Sequence, residues 1–370
     1  MKIFHLIGHL RLGAGRYIVE LAKEQKRSFA HDVEVIVSDD IDDSWRSDKK
    51  QITELENAGI GVTTIGNIFK RDRESLRESA SRLAPMLAAA GEDHVAHAHS
   101  AVPAAVAKMA RARRLVATCH GWNPNRPQSY NIEDTEAFRQ CAAIISPSRH
   151  WAARLESDLG VKGAIVIPVG VRMENFPHMD RKERAAGPAK ILTVCELTHR
   201  KGVDLLIKAM PMIWKNFEKT ELHIFGDGDI TGELKNLAGR LDDSGALITF
   251  HGFVAGPYRR LADYDLFCLA SRSDNYPVSI IEAMLAGLPV VGTDVGGIPE
   301  MIEDGGCGEV AETESPGAVA SKIARLLNGG HENMRELGQS GERFARSRLD
   351  IKITAEAIGK VYRGVIPAAL

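Results

Sequence analysis

Short runs of apolar, largely β-branched residues recur at positions 3–7, 33–37, 95–99, 115–118, 143–145 and 164–168. After a break they resume at 191–195, 221–225, 247–250, 265–270, 289–292 and 308–311. Runs this short, bounded by polar residues and glycines, read as buried strands. Between them lie longer stretches with apolar residues every three or four positions, the period of a helix with one buried face. Ile18, Leu21 and Ala22 share a face in 17–26, and Leu205, Leu206, Ala209 and Ile213 share one in 203–214. Segment 280–286 and the final segment 351–366, with Ile353, Ala357, Ile358 and Val361, repeat the pattern. Strands alternating with helices predict parallel sheets covered on both faces.

The alternation stops at 172–190, a polar stretch containing Pro177 and Pro188. This predicts an interdomain connection between two α/β, doubly wound, Rossmann-like domains, 1–175 and 188–350. Ligands of such sheets bind beyond the carboxyl ends of the strands, so two facing domains would place a site in the cleft between them.

Composition narrows the function. Of 370 residues 44% are apolar and 26% charged, and Lys plus Arg (47) nearly cancels Asp plus Glu (49). Nucleic-acid binding needs a phosphate-neutralising excess of cations, so that class is disfavoured. No run of about 18 apolar residues predicts a spanning helix, and the chain enters a strand-like segment at once, without a signal-peptide pattern. Cys119, Cys141, Cys195, Cys268 and Cys307 form no close pair, and they fit a reducing cytoplasm. No metal-ligand cluster stands out, so neither a metal nor another cofactor is expected.

Chemistry concentrates in 271–300, S-R-S-D-N-Y-P-V-S-I-I-E-A-M-L-A-G-L-P-V-V-G-T-D-V-G-G-I-P-E. Asp274 falls in a strand-to-helix turn and Glu282 about two turns into the helix, if that helix begins near Pro277. A carboxylate in the turn can accept hydrogen bonds from sugar hydroxyls, and a second on the inward face can clamp a ribose diol. The plainer alternative makes Asp274 a helix cap and Glu282 a surface acid. The pair followed by V-V-G-T-D-V-G-G-I-P-E is far more specific than either alone.

This segment resembles the signature region of retaining glycosyltransferases with the two-Rossmann-domain GT-B fold, family 4. Other family motifs follow in order: H-V-A-H-A-H-S at 94–100, T-C-H-G at 118–121, V-I-P-V-G-V at 166–171, I-F-G-D-G at 224–228 and F-H-G-F-V at 250–254. The resemblance covers nearly the whole chain. It implies transfer of a sugar from a nucleotide sugar, UDP foremost, to a hydroxyl of a saccharide, lipid-linked or small-molecule acceptor, in glycan, polysaccharide or glycoconjugate biosynthesis. Glu282 is then the expected ribose ligand and Asp274 the contact to the sugar hydroxyls. Asn275, Tyr276, Pro277 and Val278 are expected to cradle the diphosphate and sugar. Gly226 is counted with the donor loops, the Gly252, Phe253 and Val254 backbone should meet the base, and Lys201 should meet the phosphate. His120 is expected to approach the reacting sugar. Taken alone, a histidine after a strand is more often a capping or core residue, and its T-C-H-G context reverses that reading. His97 and His99 read as structural. The terminal helix, about 352–370, is expected to cross back onto the first domain, as in relatives.

Two departures stand out. Glu196 replaces the family's arginine five positions before the phosphate lysine, where a carboxylate would repel diphosphate; Arg200 is the candidate substitute. Asp274 replaces the usual glutamate and is one methylene shorter. Near the N-terminus, Gly13, Gly15 and Arg16 read as a loop near donor phosphates or acceptor, between the first strand and first helix. As a dinucleotide fingerprint the loop fails: it lacks a third glycine at proper spacing, and Asp39 and Asp40 are weak ribose ligands, which disfavours an NAD-dependent dehydrogenase. Residues 69–90 combine Lys70, Arg71, Arg73, Arg77 and Arg82 with Leu76, Leu83 and Leu87. A solvated amphipathic helix is favoured there over peripheral association at the inner face of a membrane. Alternative functions on this fold are a nucleotide-sugar isomerase, a phosphorylase, or an inactive sugar-nucleotide-binding subunit.

Overall fold

The computed structural model describes residues 1–39, 48–122, 126–178, 187–242, 244–254 and 256–365. Asp40, residues 179–186 of the expected connection and 366–370 of the last segment lie outside the described residues. The chain forms two compact units, Met1–Val171 together with the segment from Ile351 onward, and Arg172–Asp350.

The first unit holds β1 (Lys2–Leu6), β2 (Asp32–Val37), β3 (Gly61–Thr64), β4 (His94–His99), β5 (Leu115–Thr118), β6 (Ala143–Ser146) and β7 (Ile165–Val166). They make one parallel sheet in the order β3-β2-β1-β4-β5-β6-β7. The second unit holds β8 (Lys190–Val194), β9 (Glu221–Phe225), β10 (Ile248–Gly252), β11 (Leu266–Leu269), β12 (Val290–Thr293) and β13 (Gly308–Ala311). Its parallel sheet runs β10-β9-β8-β11-β12-β13. Each is a Rossmann-like order, reversing direction between β1 and β4 in one unit and between β8 and β11 in the other.

The helical period supplies the layers. Helix Val203–Trp214 buries Val203, Leu205, Leu206, Ile207, Ala209, Met210 and Ile213 in the second core. At roughly 1.5–3 kcal/mol for each large apolar side chain, that face alone outweighs any weakness in local propensity. Helix Ile351–Val365 packs in the first unit beside helix Leu12–Phe29. No described helix is long and apolar enough to cross a membrane.

Two expectations need correction. Strand β3 was not anticipated: G-V-T-T is half-exposed along the sheet edge and carries no apolar signal. The Gly13, Gly15 and Arg16 segment is not a loop, because the first helix begins at Leu12. The Gly15 amide already bonds the Arg11 carbonyl, and a Cβ there would lie 2.7 Å from the Leu10 backbone. Glycine serves close packing in that helical turn. In the basic segment, a helix spans Arg73–Ala89, with Arg82 paired to Glu78 and Asp39, and Arg71 to Glu133 and Asp134.

Candidate functional site

In the second unit Lys201, Arg200 and Asp274 meet where β8 and β11 end, at the reversal of strand order. Two glycines let the loops close up. Gly226, at φ +142°, has no room for a Cβ beside the Cys195 carbonyl, which draws the loops after β8 and β9 together. Gly202, at φ +63°, likewise leaves no room before the Ala270 carbonyl. It ends the short 3-10 turn His199–Lys201 and presses that turn against the segment after β11. Positive φ with a backbone atom at the Cβ position admits only glycine.

That approach brings Lys201 Nζ to 2.5 Å from Asp274 Oδ2, across 73 positions of sequence, with both side chains largely buried. Ser271 Oγ donates to the same oxygen at 3.2 Å. Arg200 donates to the Ser273 carbonyl at 2.9 Å and lies 3.7 Å from Asp274 Oδ1, while half its side chain stays in solvent. The cluster is braced from below. Arg272 grips Asp204 at 2.7 and 3.0 Å and donates to the His199 carbonyl at 2.8 Å, tying the 3-10 turn to the β11 loop. Burial opposes the charge on Asp204, but its hydrogen bonds from Arg272 and Lys208 prevail and hold the carboxyl at about 2. Thr293 Oγ1 donates to the Ser271 carbonyl at 2.6 Å, and the Gly297 amide to Asn275 O at 2.6 Å.

The helix after this loop is Val278–Leu285, capped by Pro277 with no side-chain cap, so Asp274 is not its cap. Tyr276 and Pro277 are buried. Val278, Ser279 and Glu282 form the partly exposed stripe of the helix. Val278 and Ser279 lie four and three positions before Glu282, so Glu282 shares a face with the first turn. Gly252, at φ +67°, ends β10, and its carbonyl accepts from the Gly226 amide at 2.8 Å. Phe253 beside it is 79% exposed, an unusually open aromatic side chain. Glu196 is half-buried and makes no ion pair among the described residues. Two cations, Lys201 and Arg200, meet the Asp274 carboxylate just before the helix that bears Glu282, a set suited to an anion carrying hydroxyls.

In the first unit, His120 follows β5 and is partly exposed. Its Nε2 lies 3.2 Å from His99 Nδ1, and His99 Nε2 lies 3.0 Å from His5 Nδ1. His5 and His97 are register partners on β1 and β4, and His97 and His99 point to the same face of β4. Every residue of β4, His-Val-Ala-His-Ala-His, is buried. Burial lowers His5 and His120 to about 4, and burial plus neighbouring imidazoles holds His97 and His99 well below the usual range. Nitrogens of His5, His97 and His99 lie within 4.8 Å of one another, a spacing a metal could use. Each is nonetheless committed to a protein partner: His5 also to Gln25, and His97 to Tyr362 and Thr118. Sequence reasoning gave His5, Gln25 and Tyr362 no role; the alternation of His97 and His99 was the one available signal. Arg16 is gripped by Glu54 and Glu20, both at 2.6 Å, and Asp39 is paired with Arg82.

Comparison with known proteins decides the family. The model for Glycosyltransferase Family 4 matches residues 12–175, and that for Glycosyl transferases group 1 matches residues 188–329. The chain belongs to this glycosyltransferase family. It is 30% identical over 201 residues to the amylovoran biosynthesis glycosyltransferase AmsK of Erwinia amylovora, covering 52% of this chain and 49% of AmsK. It is also 30% identical over 233 residues to the phosphatidyl-myo-inositol mannosyltransferase of Mycobacterium tuberculosis, covering 60% and 59%. The chain thus spans about half the length of AmsK and somewhat more of the mannosyltransferase. In fold it resembles Anabaena Alr3699/HepE, solved with UDP and glucose, at TM-score 0.79 and 19% identity, over 98% of this chain and all of that one.

Proposed function

We propose that the protein is a retaining glycosyltransferase that moves a sugar from a nucleoside-diphosphate sugar to a hydroxyl acceptor in glycan or polysaccharide synthesis. The observation that carries this reading is the cluster of Lys201, Arg200 and Asp274 at the strand-order reversal, beside the helix that bears Glu282. As the glycosidic bond breaks, negative charge grows on the diphosphate oxygens. Cations and helix amides already fixed in place stabilise that charge without reorganising. Lys201 and Arg200 take the diphosphate, Arg200 standing in for the arginine that Glu196 replaces. Asp274 turns to the sugar hydroxyls and Glu282 holds the ribose. The open face of Phe253 and the Gly252 backbone meet the base. His120 contacts the transferred sugar. With cations supplied by side chains, this reading asks for no metal. UDP is the proposed carrier, supported by the UDP in the Anabaena structure.

Retention follows if the acceptor hydroxyl attacks from the face the diphosphate leaves, its proton passing to a leaving phosphate oxygen. Glu196 favours a second reading, a sugar-nucleotide-binding subunit without turnover. Incubation with UDP-, GDP- and ADP-sugars plus a hydroxyl acceptor panel tests both, with product analysis by mass and anomeric coupling. The reading predicts nucleoside diphosphate and an equal amount of product with the donor's anomeric configuration. Donor isomerised without transfer, inverted product, or binding with no turnover would each overturn it.

A further inference from the structure

Seven polar groups of the first unit, six of them buried, form one continuous hydrogen-bonded line. It starts at His120, passes His99 and His5 at 3.2 and 3.0 Å, and reaches Gln25 Oε1, 2.7 Å from His5 Nε2. Gln25 Nε2 then donates to the Tyr362 hydroxyl at 3.3 Å. That hydroxyl lies 2.6 Å from His97 Nδ1, and His97 Nε2 lies 2.7 Å from Thr118 Oγ1. The line joins three strands and two helices, Leu12–Phe29 and Ile351–Val365, and only its His120 end is partly exposed.

A neutral imidazole has one donor and one acceptor nitrogen, so each link dictates the next. The carbonyl oxygen of Gln25 can only accept, which puts a proton on His5 Nε2 and leaves His5 Nδ1 bare. His99 must then donate from Nε2, leaving its own Nδ1 bare. His120 must in turn donate from Nε2. Its Nδ1 is left unprotonated, with no partner among the described residues. From Gln25 the other way, Tyr362 accepts from the amide and gives its proton to His97 Nδ1, and His97 Nε2 donates to Thr118. All links agree in polarity. Turning the Gln25 amide over would reverse every one and place a proton on His120 Nδ1. A neutral line suits its burial, since each imidazolium there would have to be desolvated.

We propose that this line fixes His120 in its Nε2–H tautomer, so that Nδ1 meets the ligand as a bare acceptor and the group it recognises is a hydroxyl rather than a phosphate. Gln25, His5 and His99 are then positioning residues that set the polarity of His120 from inside the fold. The identity of the hydroxyl, one on the transferred sugar, rests on the glycosyltransferase reading; the tautomer does not.

Nitrogen-15 NMR of the imidazoles of the full chain at pH 7.5, without ligand, tests it directly. The expected result is a protonated Nε2 and a bare Nδ1 on His120. A protonated Nδ1, or an imidazolium, would overturn the proposal. In Gln25→Leu the line loses its fixed acceptor, and the His120 signals should move toward an average of the two tautomers. Donor turnover should fall about tenfold, the worth of one neutral hydrogen bond. His120 signals unchanged in Gln25→Leu would overturn the part assigned to Gln25. Turnover unchanged in His120→Ala, with the wild-type tautomer as expected, would instead remove His120 from the transfer reading and leave the line intact.

Discussion

Lowering the pH from 6.5 to 5 is expected to strip the first unit of most of its stability. His5, His97, His99 and His120 are neutral in the fold: burial holds His5 and His120 at about 4, and the other two well below the usual range. Unfolded, each titrates near 6.5. Between about pH 4 and 6.5 the unfolded chain therefore binds more protons than the folded one, so stability is complete above 6.5 and falls as the pH drops. Each group contributes a slope of at most about 1.4 kcal/mol per pH unit, so four give up to roughly 6. By pH 5 the accumulated loss approaches the 5–15 kcal/mol that holds a typical domain together. His9, His31 and His150, less deeply buried, are lowered by burial too and push the same way. Asp204 in the second unit behaves oppositely in range: its stabilisation persists until the pH drops below about 4. Urea unfolding followed by circular dichroism at pH 7.5, 6.5, 5.75 and 5 measures the slope. A total change below about 1 kcal/mol between pH 6.5 and 5 would refute the reasoning, because it would mean that the imidazoles are solvated or charged in the fold.

Two substitutions probe the frame of the second unit. Gly202→Ala should cost more than about 2 kcal/mol, since a Cβ at φ +63° would collide with the Ala270 carbonyl; an unchanged urea midpoint would show that the loops are not in contact. Arg272→Ala leaves Asp204 with Lys208 alone in a half-buried position, with an expected loss of about 1–3 kcal/mol at pH 7. That loss should shrink as the pH falls through the range where Asp204 protonates; a loss independent of pH would refute the ion-pair account.

Much of the fold is legible in the sequence because buried parallel strands are short apolar runs, and β5, β9 and β13 begin and end where those runs do. What escapes is where polarity or glycine masks burial. Strand β3 is an edge strand with two threonines, and the first helical turn carries Gly13 and Gly15, whose low helix propensity argues for a loop. Tertiary packing against Leu10 and Gln51 outweighs that propensity. In the candidate site, Asp274 and Glu282 are visible as a spaced pair near a helix start. The Lys201–Asp274 contact is not, because it depends on the close approach that Gly202 allows between loops distant in sequence. The histidine line is less legible still. Its members sit at positions 5, 25, 97, 99, 118, 120 and 362, and only the strand order β1-β4-β5 and the return of the last helix bring them together.

Calorimetric titration of UDP, GDP and ADP into the wild-type chain and into Lys201→Ala goes to the centre of the account. One of the three should bind the wild type, and Lys201→Ala should bind it at least about tenfold more weakly, the loss of a charge-assisted hydrogen bond sharpened by an Asp274 carboxylate left with Ser271 and the more distant Arg200. Equal affinity in the two chains, or no binding of any of the three to the wild type, would contradict it.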